Sequence, residues 1–177
     1  MLLDEAMPRW DKREIHRIAT DAPVEELFRA IEELTWSEVP VFKALMKVRG
    51  LGRDGLSGDD PLLGWFTSYG FELVDRTDEE MLIVRVERTR RGASHPGPQT
   101  VETFRADSDP GHVKIAFNFR SVDGYLTTET RVCSTDARSR RVFAAYWVGI
   151  RVGSAVIRRV WLRAIRARAQ RAPMRRP

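Results

Sequence analysis

One cysteine, Cys133, in 177 residues excludes an internal disulfide framework. The three histidines, His16, His95 and His112, are too widely spaced to form a compact metal-ligand pattern with it. Neither a metal nor a cofactor is expected. No apolar run approaches the roughly 18 to 20 residues needed to cross a bilayer, and the opening MLLDEAMPRWDKRE lacks the basic and apolar regions of a signal peptide. The cytoplasm is therefore the expected compartment. Lysine is scarce, since 26 of the 30 basic residues are arginine. Acid is absent from residue 137 onward: that stretch holds 12 arginines and no aspartate or glutamate, whereas residues 1–136 carry a net charge of −7. The overall charge of +5 hides this asymmetry.

The hydrophobic content of 42%, with five tryptophans, suffices for one substantial core, and the length suits one domain. Residues 1–13 read as a mobile lead, 14–171 as the domain and 172–177 as a tail. The segment EIHRIAT (14–20) is a short extended candidate. Pro23, Glu25 and Glu26 suit the first turn of a helix in which Val24, Leu27, Phe28, Ile31 and Leu34 repeat at helical spacing. A second short helix fits PVFKALMKV (40–48). The next stretch, RGLGRDGLSGDDP, packs four glycines, three aspartates and a proline into thirteen residues and is a loop. Alternation then marks WFTSYGFELV (65–74), MLIVRVE (81–87), TVETF (100–104), HVKIAFNFRS (112–121) and YLTTETRVCS (125–134) as antiparallel strands. Residues 14–20 offer a sixth, and Asp123-Gly124 supplies a hairpin turn. The longest periodic segment, 138–171, aligns Phe143, Trp147, Ile150, Ser154, Ile157, Trp161 and Ile165 on one helix face. Gly149 and Gly153 in its middle predict a bend or a close packing contact.

This order predicts an α+β domain: a curved antiparallel sheet wrapped around a long C-terminal helix, with one or two short helices after the first strand. One sheet face needs cover, and the long helix has the stripe to provide it. If curvature holds the two apart, a cavity opens between them. The stretches TTETRV (127–132), FAAYW (143–147) and SAVIRRVWLRAIRARA (154–169) resemble an uncharacterised bacterial branch of the START-related SRPBCC superfamily. Its helix-grip fold has this layout, and the resemblance covers residues 14–169. It implies a cavity for a hydrophobic or amphipathic small molecule. The wider superfamily includes lipid carriers and polyketide cyclase- or dehydratase-like enzymes.

The strand-side candidates for the cavity wall are Trp65, Phe71, Val84, Phe117 and Phe119. From the helix come Tyr146, Trp147 and Ile150. Tyr146 and Trp147 point about 100° apart, so both need not line one pocket, and simple helix-to-sheet packing also explains them. Alternation puts Glu129 and Arg131 on one face of their strand. Facing outward, they form an ordinary cross-strand charge surface, which is the expected assignment. Facing inward, they must satisfy each other or a polar ligand, because isolated buried charge is costly.

Several motifs lack the context that their chemistry needs. Gly50-x-Gly52-x-x-Gly55 has dinucleotide spacing but continues into loop instead of opening a helix, so a lid beside the cavity is the better expectation. Cys133 has no histidine partner or helix N-terminus to activate it. His112 follows a turn and faces either solvent or a pocket. The arginine cluster that includes Arg158, Arg159, Arg163 and Arg166 attracts polyanions, which makes a peripheral anionic membrane a candidate partner. Nucleic acid is disfavoured, because no aromatic platform interleaves with the arginines. The acidic body can also answer these charges within one molecule or across a homodimer.

Overall fold

The computed structural model describes residues 1–48 and 57–171. The glycine triplet at 50, 52 and 55, and the lid expected there, lie outside these residues. Helix α1 (Leu2–Ala6) leads into β1 (Lys12–Ala19) and α2 (Val24–Glu33). A 3-10 turn (Trp36–Glu38), α3 (Pro40–Val48) and α4 (Leu62–Ser68) follow. Then come β2 (Glu72–Arg76), β3 (Glu80–Arg88), α5 (Val101–Ala106), β4 (His112–Val122), β5 (Tyr125–Ser134) and α6 (Ala137–Arg171). The strands form one antiparallel sheet in the order β1-β5-β4-β3-β2, packed against α6 in a helix-grip-like α+β arrangement.

Two segments expected as strands are helical. WFTSY belongs to α4, where Pro61 precedes the first turn and Leu62 and Phe66 bury one face at a spacing of four. Trp65 and Tyr69 share that spacing, and their rings stand 4.3 Å apart. TVETF becomes α5 because Thr100 caps it: its hydroxyl accepts from Thr103 N at 3.2 Å, and Phe104 is the buried anchor. The chain between β1 and β2 thus carries more helix than the one or two short elements predicted. The Asp123-Gly124 turn is present as expected, with φ of 53° and 75°, the left-handed pair that joins β4 to β5.

Alternation gives the sheet two buried faces. On the inner face Met81, Ile83, Phe117, Phe119 and Leu126 meet Ile157, Trp161, Leu162 and Ile165 of α6. Trp161 is the hub, with Phe66 stacked at 5.0 Å and Phe119 edge-on at 4.8 Å. On the outer face Leu82, Val84, Val86 and Ala116 are covered by Leu3, Ala6 and Met7 of α1 and by Phe104 of α5.

Within the segment expected as a mobile lead, Leu3, Ala6 and Met7 pack on the sheet, held by buried charge at both ends of α1. Glu80 accepts from Leu2 N (2.8 Å) and Leu3 N (3.2 Å), while Arg131 donates to Met7 O (2.9 Å) and Leu3 O (3.4 Å). Acid at the N-terminus and base at the C-terminus both suit the helix dipole.

Helix α6 divides in the middle. Its second half is buried in the core, while the first half is anchored at its start by the buried Ser139, whose hydroxyl meets Thr89 at 2.8 Å, and then presents only half-buried apolar side chains such as Phe143, Trp147 and Ile150. Val148 and Val152 on its far side are 79% and 75% exposed. No close contact occurs at Gly149 or Gly153, where a Cβ would meet nothing within 4 Å. The expected tight packing is absent because this half of the helix stands off the sheet.

Candidate functional site

Where α6 stands off, a cleft of about 660 Å³ opens between it, the inner sheet face and α4. Trp65, Phe66 and Tyr69 of α4 and Phe71 form one wall, and Phe143, Tyr146, Trp147 and Ile150 of α6 form the other. Ile115 and Val132 contribute apolar floor from the central strands, beside the hydroxyls of Thr130 and Ser154. The volume falls within the range of about 300–1,000 Å³ that is usual for small-molecule sites.

Charge enters this lining at the rim, through Arg85, Glu87 and Arg88, and at the core end. At the rim Arg85 pairs with Glu87 and lies over the Phe71 ring at 5.4 Å. At the core end stands Arg158, 8% exposed, with its guanidinium carbon 4.2 Å from the Phe117 ring centroid. Burial lowers the Arg158 pKa to about 10, against the opposing pull of the Glu14 carboxylate, so the side chain stays charged at neutral pH.

The structure brings together Trp65, Phe71, Tyr146, Trp147 and Ile150 of the expected set. Phe117 lies directly beneath Arg158, and Phe119 sits deeper against Trp161. Val84, Glu129 and Arg131 are on the other side of the sheet. Val84 packs under α1, paired with Ala116 across β3 and β4. Glu129 and Arg131 point away from α6, as the outward assignment requires, yet both are buried. Arg131 Nε reaches Glu129 at 2.6 Å, its Nη2 reaches Asp4 at 2.7 Å, and Arg13 reaches Glu129 at 2.7 Å. Burial raises the Glu129 pKa, but hydrogen bonds and charge from Arg13 and Arg131 outweigh it and leave the group lowered overall. Asn118 completes the network, donating to Glu80 at 2.7 Å and accepting the Glu129 backbone N–H at 2.9 Å. These charges fasten α1 and contribute nothing to the cleft.

His112 is also on the outer face. Its Nδ1 meets Asp107 at 3.0 Å, its Nε2 meets the Ser94 carbonyl at 3.0 Å, and Ser94 Oγ stands 3.2 Å from Nε2. The order serine, histidine, aspartate is present, but the ring cannot take the serine proton. A carbonyl and a carboxylate both accept, an arrangement that favours the protonated ring with each nitrogen donating. Burial opposes that charge, but the Ser94 and Asp107 hydrogen bonds and the nearby Asp109 raise the pKa overall. The same protonation argues against a metal, although donor atoms of Asp107, Asp109 and His112 lie within 4.8 Å of one another. Burial pushes the Cys133 thiol up, which keeps it protonated and unreactive.

Part of the arginine cluster is answered within the chain. Arg168 pairs with Glu33 (2.9 Å) and Glu38 (2.8 Å), and Arg140 pairs with Asp11 (2.8 Å). Among the described residues, no helix is long and apolar enough to cross a membrane.

Comparison with family models, with curated proteins and with solved structures gives no match for this chain. The helix-grip likeness accordingly rests on architecture. The sequence did not single out Phe66, Tyr69 and Phe143 as wall residues, and it marked Arg158 as a residue of chemical interest without assigning it to the cavity. The available signal was Ser154-x-x-x-Arg158, a hydroxyl and a cation one turn apart beside the apolar stripe.

Proposed function

We propose that this protein binds a hydrophobic or amphipathic small molecule in the cleft between the sheet and the first half of α6, as the START-related superfamily it resembles would imply. The observation that carries this reading is the cleft itself, about 660 Å³ walled by aromatic side chains from two helices and β2's approach. Such side chains bury a large apolar ligand area, and a few polar groups suffice to orient it. Binding without catalysis fits the lining better than cyclase or dehydratase chemistry. Its described residues include no histidine or cysteine, and their one carboxylate, Glu87, is tied to Arg85. General acid–base chemistry needs a free titratable group within reach of the substrate.

Native mass spectrometry of freshly purified protein, with release and identification of any bound small molecule, tests the proposal. The uncharged dye N-phenyl-1-naphthylamine serves as a parallel probe. Wild type is expected to enhance its fluorescence, and Ile150→Trp, which fills the cleft from α6, to lose that enhancement while keeping its thermal midpoint. Absence of both a co-purified molecule and dye binding would defeat the reading.

A further inference from the structure

We infer that the cleft takes an apolar monocarboxylate, inserted acid first onto Arg158, an inference that rests on the cleft being a ligand site. The Arg158 guanidinium carbon lies over two aromatic rings, Phe117 at 4.2 Å and Trp161 at 5.5 Å. Its N–H groups are not similarly answered. Nη1 is buried with no hydrogen-bond partner, and among the described residues no carboxylate stands within ion-pair distance of this side chain. Other arginines of the fold are answered: Arg131 by Glu129 and Asp4, Arg85 by Glu87, Arg168 by Glu33 and Glu38.

A guanidinium N–H withdrawn from water without an acceptor is costly, and Glu14 acts on Arg158 through charge alone, with no ion-pair contact. A ligand carboxylate supplies two coplanar acceptors, which a guanidinium edge takes in parallel. The lining around it is suited to that head group. Ser154 lies one turn before Arg158 on the same helix face, and Thr130 lines the cleft from β5. A monoanion is the smaller electrostatic burden: Glu14 already places a carboxylate on the inner face of β1, its Oε1 held by His16 at 2.8 Å and its Oε2 buried without a partner, so a dianion such as a phosphate monoester would add a further negative charge near one already present. Towards the other end of the cleft Phe143, Trp147 and Ile150 oppose Trp65 and Phe71, which gives the ligand tail an apolar channel.

The test compares dodecanoate with dodecanol, followed by tryptophan fluorescence, on wild type, Arg158→Met and Arg158→Lys. Wild type is expected to bind the acid about tenfold to a hundredfold more tightly than the alcohol, the effect of one charge-assisted contact. R158M is expected to erase that preference while leaving dodecanol affinity within about twofold, and R158K to retain part of it. Without ligand, R158M is expected to melt at or above the wild-type temperature, because methionine keeps the stem packing and removes an unpaired buried charge. Equal affinity for acid and alcohol in wild type, or an acid preference that survives in R158M, overturns the carboxylate anchor and leaves the cleft reading standing. A ligand-free R158M that melts far below wild type, or does not fold, assigns Arg158 to structure and also overturns the anchor. Failure of wild type to bind either molecule overturns both readings.

Discussion

Replacing Arg131 with methionine tests whether buried charge on the outer face clamps α1 to the sheet. Arg131 is 2% exposed and donates to Glu129, Asp4, Met7 O and Leu3 O, with its guanidinium carbon 4.2 Å from the Trp10 ring centroid. Methionine keeps much of the stem packing but takes the guanidinium donor from Met7 O, while Leu3 O keeps the Met7 N–H at 2.9 Å. Breaking a buried ion pair costs about 3–5 kcal/mol. The lower end applies here, because Arg13 still holds Glu129 at 2.7 Å and 3.0 Å. A loss of about 3 kcal/mol in a protein of this size lowers the thermal midpoint by roughly 10 °C. Urea denaturation followed by far-ultraviolet circular dichroism gives the free energy, and hydrogen exchange over residues 1–11 reports whether α1 opens first. Each single substitution already removes the Arg131–Glu129 contact, so the loss in E129Q/R131M is expected to be smaller than the sum of the two single losses. An R131M protein within 1 kcal/mol of wild type, with residues 2–7 equally protected, would refute the clamp.

The aromatic hub makes a second, graded prediction. Trp161→Ala is expected to cost about 3–5 kcal/mol in urea denaturation, and Trp161→Phe less than half of that. The reason is that Trp161 Nε1 is buried without a hydrogen-bond partner, so phenylalanine forfeits packing volume and no bond. Acid unfolding should report on Asp136, which caps α6 by accepting from Arg138 N (2.8 Å) and Ser139 N (2.9 Å) and also accepts from Gly111 N (2.6 Å). Those hydrogen bonds lower its pKa from 3.8 to about 2. A carboxyl whose folded pKa is depressed contributes stability that is present above its unfolded value and lost as the pH falls through the folded one. Wild type is therefore expected to lose stability steadily between pH 4 and pH 2, and Asp136→Asn to show a flatter profile on the same axis.

Helices α2, α3 and α6, the strands β3, β4 and β5 and the Asp123-Gly124 turn were legible because each repeats its own period without competition. The two misread segments had apolar residues that fit both periods. In WFTSYGFELV the strand reading had to overlook Thr67, whereas Leu62, Trp65, Phe66 and Tyr69 fit a helix opened by Pro61. In TVETF the deciding group was Thr100, a cap whose effect depends on its hydroxyl reaching Thr103 N. For Glu129 and Arg131, alternation put both on one face but gave neither which way that face points nor its burial. Their cover comes from α1, more than a hundred residues earlier in the chain, and local pattern carries no trace of it.

The sequence by itself determined the long amphipathic helix, the antiparallel order of the central strands and the concentration of positive charge after residue 137. These follow from local periodicity and composition, which need no partner to be read. Only the tertiary structure decided which strand face meets α6 and which meets α1, because a period of two defines two faces and is silent on what covers each. It also decided that α6 buries its apolar stripe mainly through its second half. That asymmetry opens the cleft and leaves Arg158 at its core end, charged, with Nη1 buried and unbonded among the described residues.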